Sequence, residues 1–334
     1  MEIVNTSSLS NAADLSAAFI GFEMRLQQQF DQYETRWEKF AGVVQTKTQV
    51  EKLPFLSLFP QFRKWKPGTN RHANNYVLND IQVENIDWEL TVDISRPKLM
   101  DDQYGLFLNM APAHLAREAM ILPDREIVNY MEGSGLTLND WDGVPYFSAS
   151  HPIDPTGLTT SSVQANLFPN LDDGYAYGGL TPQNFQVVRA SHLSRKGMDN
   201  APLGLRTTGL KLMTHPDGEY DARIATSAAF YPASVANGAA ALSNVWASMP
   251  EKERVEVITN SFLKSDGSWY LLSNDEVSKS FFWSQRSPLE LTTIVDPQNP
   301  KVFDRNMYTI GGYIRGAAFQ GLYYLATKGT SASA

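Results

Sequence analysis

The sequence predicts an α+β fold in which helices and strands are segregated along the chain rather than alternating. Three observations carry this reading. Apolar residues recur every three or four positions over residues 14–37 and again over 101–133, the spacing of amphipathic helices. Over residues 81–94 the period is two, the spacing of half-buried strands. A β-rich run interrupted by Gly311, Gly312 and Gly316 then occupies residues 308–326. No repeat recurs at a fixed period, so a solenoid is excluded. The 334 residues are 43% hydrophobic and 19% charged, a composition that buries a core and excludes a largely disordered chain. Length alone gives about two domains.

The elements follow in order. Residues 1–12 are small and polar and read as an arm. Leu15, Ala18, Phe19, Phe22 and Leu26 form the first helical stripe, continued by Phe30, Tyr33 and Trp37. On a helix behind a loose arm, the surface that buries this stripe is either the chain's own body or another subunit. Residues 53–65 are dense in aromatics and broken by Pro54 and Pro60, which excludes a long helix. Pro67-Gly68-Thr69-Asn70 is a turn signal. Ile81 and Val83 alternate with polar residues, as do Ile86, Trp88, Leu90, Val92 and Ile94, with a slip of one position at Asn85. A one-residue slip turns every side chain to the other face, so two strands of one hairpin are the simplest reading.

Asp101-Asp102 caps the longest helix, which runs to Gly133. Phe107, Ala111, Leu115, Ala119 and Leu122 share its apolar face, and a bend or break is expected at Pro112 or Pro123. Residues 141–180 are turn-rich and too long for a structureless loop, so an ordered excursion is expected. Thr181-Pro182 starts a further helix burying Phe185 and Val188. Strands are expected at residues 256–259, 269–272, 281–283 and 291–295.

Chemistry is scarce. With no cysteine, disulfides, thiolate nucleophiles and Cys-ligated metals are excluded. Phosphate-cradle, zinc-protease and nucleophile-elbow motifs are absent. Five histidines are scattered, with no ligand-like pair. Ser150-His151-Pro152-Ile153-Asp154 offers a nucleophile, a base and a carboxylate, although adjacent Ser and His do not readily point at each other. Asp172-Asp173 and Asp217-Gly218-Glu219-Tyr220-Asp221 lack calcium-loop spacing and read as solvated turns. No catalytic, cofactor or metal residue is therefore assigned. A net charge of −8 disfavours broad binding to phosphates, leaving Arg63-Lys64-Trp65-Lys66 as the densest basic cluster, either solvated or in contact with a subunit. No apolar run reaches the ~20 residues of a membrane span. Glu2 replaces the basic start of a secretory leader, which predicts a protein made in the cytoplasm.

Several strings, in order, resemble the Mu-like phage major head subunit family of gpT-type capsid proteins. Phe59-Pro60-Gln61-Phe62-Arg63-Lys64-Trp65 is similar to the family's F-P-x-L-R-E-W stretch. The strand from Trp88 to Arg96, Asp101-Asp102-Gln103-Tyr104-Gly105 and Asp142-Gly143-Val144-Pro145-Tyr146-Phe147 with His151-Pro152 follow in the family's order. Gln285-Arg286, Tyr308, Gly311, Arg315 and Gly316 fit its closing strands. The likeness is good over residues 55–151 and 281–326 and weak over 180–272. Two departures are the Lys66-Pro67-Gly68 turn and the length of residues 154–169.

The resemblance implies the Hong Kong 97-type capsid fold. Its parts would be an N-terminal arm and helix (1–58), an extended hairpin loop (59–96), a peripheral domain with a long spine helix (97–180 and 273–334) and an axial domain (181–272). It implies a non-enzymatic subunit, without cofactor or metal, that self-assembles as hexamers and pentamers into an icosahedral head around double-stranded DNA. Portal, scaffold or protease, and a decoration protein are implied partners; contact with DNA would be non-specific, and no membrane is involved. The location would be the virion, after assembly in the host cytoplasm. Phe62, Arg63, Trp65 and Trp88 are the inter-subunit contacts expected on the hairpin. A nanocompartment shell of the same fold is the alternative, and a hydrolase using His151 and Asp154 is the reading from another class.

Overall fold

The computed structural model describes residues 12–331 apart from 33–34, 57–63, 67, 69, 71–77, 101–105, 134–140, 157–160, 172–176, 233–240, 275–278 and 297. The expected polar arm, most of the Phe59–Trp65 string, the Asp101-Asp102 cap and Asp172-Asp173 lie outside the described residues. In chain order the elements are α1 (Ala12–Gln32), β1 (Ala41–Gln45), β2 (Val50–Leu56), β3 (Leu78–Glu84), β4 (Ile86–Ser95), α2 (Arg96–Met100) and α3 (Leu106–Glu132). The excursion contributes β5 (His151–Pro152), β6 (Val163–Gln164) and β7 (Leu167–Leu171). Then come α4 (Pro182–Leu193), β8 (Leu210–Thr214), α5 (Glu219–Thr226), β9 (Phe230–Pro232), β10 (Ala241–Ser243), β11 (Glu256–Thr259) and β12 (Trp269–Ser273). The chain closes with β13 (Phe281–Ile294), α6 (Pro300–Arg305), β14 (Met307–Gln320) and β15 (Ala326–Ser331).

A four-stranded sheet has the order β1-β13-β14-β4. The two expected strands at 281–283 and 291–295 are one continuous strand, β13, with register shifts around Ser287-Pro288-Leu289. Proline has no N–H for the ladder, so a bulge is where a strand tolerates it. The glycines of β14 do not interrupt it. A Cβ at Gly316 would lie 2.4 Å from Ser284 O and 2.6 Å from the Trp283 ring. Glycine there is what lets Trp283 lie across the sheet.

A five-stranded sheet has the order β11-β8-β12-β15-β7. Every residue of its middle strand β12 is buried, and the period of two sorts them by face. Trp269 and Leu271 join Phe185 and Val188 of α4 and Ala222 and Ala225 of α5. Tyr270 and Leu272 point the other way, into a central cluster with Phe281 and Trp283 of the first sheet. The two sheets thus share a core. Strands β7 and β15 belong to this sheet although both lie outside residues 181–272, so sheet membership does not follow the boundaries expected from the sequence.

Helix α3 ties the parts together. Its 27 residues span about 40 Å, and the helix continues through both Pro112 and Pro123. Each proline removes a backbone bond, but side chains on either side of both are held by tertiary packing. Leu115 and Ala116 meet Tyr308 and Ile310 of β14 and Phe22 and Leu26 of α1. Leu122, Ile127, Val128 and Met131 enter the central cluster. The α1 stripe is therefore covered, at Phe22 and Leu26, by this chain's own body. Thr181 caps α4 as expected, its hydroxyl accepting from Asn184 N at 3.2 Å, with Pro182 in the first turn.

The hairpin differs from the expectation. Residues 81–83 and 86–94 do not pair with each other. β3 pairs antiparallel with β2, from Val50↔Glu84 to Leu56↔Leu78, whereas β4 pairs with β14. The slip at Asn85 marks a change of partner, not a turn. The hairpin strands are therefore residues 50–56 and 78–84.

Candidate assembly surface and the buried histidine sites

Among the described residues β2 and β3 form a sheet of two strands with no third. Near its root Val83 packs on Ala317 and Phe319 of β14, with Leu53, Ile81 and Phe282 around them. Toward the tip Trp65 is 54% exposed, and Lys64 and Lys66 beside it are exposed. Phe62 and Arg63 lie outside the described residues. Trp88 is not on the hairpin. It lies on β4, where its indole Nε1 donates to Gly316 O at 3.0 Å and its ring packs on the central cluster.

Strand β4 is an edge of its sheet, with Ile86, Leu90 and Val92 exposed. Its two aspartates are tied back to the body. Asp87 accepts from Tyr313 Oη at 2.8 Å and pairs with Arg315 at 2.9 Å. Asp93 accepts from Lys301 Nζ and Thr309 Oγ1, and these bonds, Lys301 first, hold its carboxyl below the usual carboxylate range. A cleft of about 210 Å³ lies between β4 and α3, lined by Trp88, Leu90, Leu115, Leu122, Leu289 and Ile314.

His151 is fully buried, and its partner is not Asp154. Nδ1 lies 2.5 Å from Asp142 Oδ2. Nε2 faces Tyr146 O at 3.0 Å and Asn166 Oδ1 at 3.1 Å. The ring stacks on Tyr323, with centroids 3.8 Å apart and planes 5° from parallel. Asp154 instead accepts from Thr156 N and Oγ1 at 2.9 and 2.5 Å, and Ser150 is exposed. The Ser-His-Asp arrangement considered from the sequence is not assembled. The imidazole organises the excursion, because Asn166 also accepts from Ser148 N at 2.7 Å and donates to Tyr146 O at 2.6 Å.

A second buried pair escaped the sequence reading. His192 on α4 bridges two hydroxyls, Thr327 Oγ1 at 2.8 Å and Ser273 Oγ at 2.7 Å. Arg195 is 2% exposed. Its Nη1 donates to the carbonyls of Tyr323, Tyr324 and Ala326, and Nη2 to Thr327 Oγ1. Helix α4 is thereby fastened to the turn that enters β15. Burial lowers the Arg195 guanidinium to about 10. Burial, reinforced by Arg195 and Arg189, pushes His192 well below its ordinary value.

The His192 shift predicts acid sensitivity. Below an unfolded value of ~6.5 the unfolded chain takes up a proton that folded His192 refuses, so stability falls with pH by up to about 1.4 kcal/mol per unit. Above ~6.5 the effect vanishes. Asp124 and Glu132, both raised chiefly by burial, act in the opposite sense. The check is thermal unfolding between pH 4.5 and 7.5 of the parent and His192→Gln. The parent should lose more stability than the variant on acidification, and parallel curves would refute the assignment.

The acidic turns are also engaged. Asp217 accepts from Ser265 Oγ and Asp221 from Tyr177 N. Among the described residues no group of three or more His, Asp or Glu side chains could hold a metal ion, and no helix is long and apolar enough to cross a membrane.

The model of the Mu-like prophage major head subunit gpT family matches residues 15–177 and 245–332. The chain belongs to this gpT family. Its members are structural capsid proteins, and the unmatched residues 178–244 fall almost wholly in the segment 180–272 where the sequence likeness is weakest. The major capsid protein of Escherichia phage Mu is 25% identical over 150 residues, which cover 45% of this gpT-family chain and 48% of that protein. The match therefore takes in about half the length of that relative. Two solved structures illustrate the shared fold. The procapsid of bacteriophage JBD30 matches at TM-score 0.56 and 17% identity, over 96% of this chain and 76% of that one. The capsid of cyanophage P-SCSP1u matches at 0.52 and 10%, over 90% and 89%. The fold is the α+β Hong Kong 97 type.

Proposed function

We propose that this gpT-family chain is the repeating subunit of an icosahedral phage head enclosing double-stranded DNA. Beyond family membership, the observation that carries the reading is the β2–β3 hairpin. A two-stranded ribbon is marginal in water, and here it bears an exposed aromatic, Trp65, between exposed Lys64 and Lys66. Contact with a neighbouring copy is what such an element lacks in the lone chain. The four-stranded sheet with α1 and α3 corresponds to the peripheral domain. The five-stranded sheet with α4 and α5 corresponds to the axial domain, repeated around fivefold and sixfold axes as pentamers and hexamers. Portal, scaffold or protease, and decoration protein would join during assembly in the host cytoplasm. A net charge of −8 suits a wall that touches packaged DNA only non-specifically. The fully buried His151, occupied by Asp142, supports a subunit without hydrolase activity.

Sedimentation and electron microscopy of the purified chain test the reading. Closed shells holding nucleic acid support it, shells filled with protein cargo favour a nanocompartment, and small oligomers under all salt and scaffold conditions refute it. Trp65→Glu should leave subunit unfolding unchanged and reduce assembly. A buried interface tryptophan is a frequent hot spot, and a loss of about 1.4 kcal/mol weakens each contact tenfold. Parental shell yield from Trp65→Glu would remove Trp65 from the interface.

A further inference from the structure

Asn85 is the one residue between β3, which belongs to the hairpin, and β4, which belongs to the main sheet. A single-residue junction cannot fix an angle through its own backbone. Here the backbone N–H and both polar atoms of the side-chain amide are tied down while only 4% of the residue is exposed. Its N–H donates to Gln49 O at 2.8 Å. Its side-chain Nδ2 donates to Thr46 Oγ1 at 3.0 Å and Thr48 O at 2.9 Å. Its Oδ1 accepts from Ser284 Oγ at 2.6 Å, and that hydroxyl accepts from Ala317 N at 3.0 Å. One amide thus joins the chain leaving β1, the start of β4, and both central strands of the sheet. The other leg of the root is closed from outside, where Glu51 Oε2 accepts from Lys47 N, Thr48 N and Thr48 Oγ1 at 3.0, 3.1 and 2.9 Å.

We infer that Asn85 is a positioning residue that sets the direction in which the hairpin leaves the body, and so the curvature at which copies join. This rests on the capsid reading above. The lever is long. Each hairpin strand has seven residues, about 23 Å at ~3.3 Å per residue, so an error of about 10° at the root moves the far end by about 4 Å. That exceeds the tolerance of a packed contact. A buried network with every member satisfied holds one geometry, whereas a partly satisfied one does not.

The chain has no cysteine, so Asn70→Cys with Gln298→Cys gives a unique pair of spin-label sites, both exposed. The interspin distance is measured in the unassembled full chain, and particle diameters are measured after assembly. Asn85→Ala and the milder, near-isosteric Thr46→Val are each compared with the parent. The expected result is a distance distribution shifted or widened by several ångströms, together with dispersed particle diameters or open sheets, while Thr46→Val retains the cooperative unfolding of the parent. If Asn85→Ala does not fold, Thr46→Val carries the test. A folded variant with the parental distance distribution and parental diameters overturns the inference. If the parent forms no shells, the capsid reading fails, and the distance measurement still decides whether Asn85 directs the hairpin.

Discussion

Leu115→Ala is expected to destabilise the unassembled subunit by about 2–5 kcal/mol, a large share of a typical ~5–15 kcal/mol. Leu115 is 4% exposed and sits where three elements meet: α3, β14 through Tyr308 and Ile310, and α1 through Phe22 and Leu26. Truncation removes buried methyl groups and leaves a void that rigid neighbours on a sheet and two helices fill poorly. The site also borders the cleft between β4 and α3. Water reaching the void through that cleft places the cost in the lower half of the range. Thermal or denaturant unfolding of the unassembled chain measures it. Trp65→Glu is the comparison, because it should spare folding and damage assembly. If Leu115→Ala unfolds with the parent yet fails to assemble, this face of α3 is an interface and the core has been misplaced.

What the sequence makes legible here is whatever a local period encodes. The Ala111, Leu115 and Leu122 part of the stripe on α3, the Thr181-Pro182 start of α4 and the strands at 256–259 and 269–272 are present as read, while the Phe107 side chain lies outside the described residues. The slip at Asn85 was visible as an event, but its meaning was not. Periodicity tells which face a side chain takes, not which strand lies alongside. The partners of β3 and β4 lie respectively about 30 residues before and 220 residues after Asn85. Trp88, expected on the hairpin, consequently belongs to the sheet, and Trp88→Asp should harm folding of the subunit. The glycines of β14 were read as breaks because the reason for them, the Trp283 ring lying against Gly316, is set by a neighbouring strand. At Pro112 and Pro123 the helix does not break, because the packing of Leu115, Leu122 and Ile127 holds it across the lost backbone bonds. For His151, nearness in sequence pointed to Asp154, while the wound excursion brought Asp142 instead.

Asp142→Ala is expected to cost the subunit about 3–5 kcal/mol, because removing one member of a buried pair strands the other. Asp142 and His151 side chains have no exposed surface, and 2.5 Å separates Oδ2 from Nδ1. Without the carboxylate the Nδ1 side of the ring loses its partner. The other contacts hold the ring in place and prevent escape: the stack on Tyr323 and the Nε2 bonds to Tyr146 O and Asn166 Oδ1. The damage should be local first. Asp142, Tyr146 and Asn166 all contact the imidazole, and Asn166 leads directly into β7 at the edge of the five-stranded sheet, so the amides of residues 141–156 and 161–171 should exchange faster than those of β12. Removing both partners is the discriminating step. When a polar pair is replaced by apolar groups of similar shape, the cost is smaller than that of stranding one of them. Asp142→Ala with His151→Leu should therefore be less destabilised than the sum of the two single changes by about 1 kcal/mol or more. Strict additivity in the cycle would mean that the short contact contributes nothing, and that the excursion is held by the Tyr323 stack and Asn166 alone.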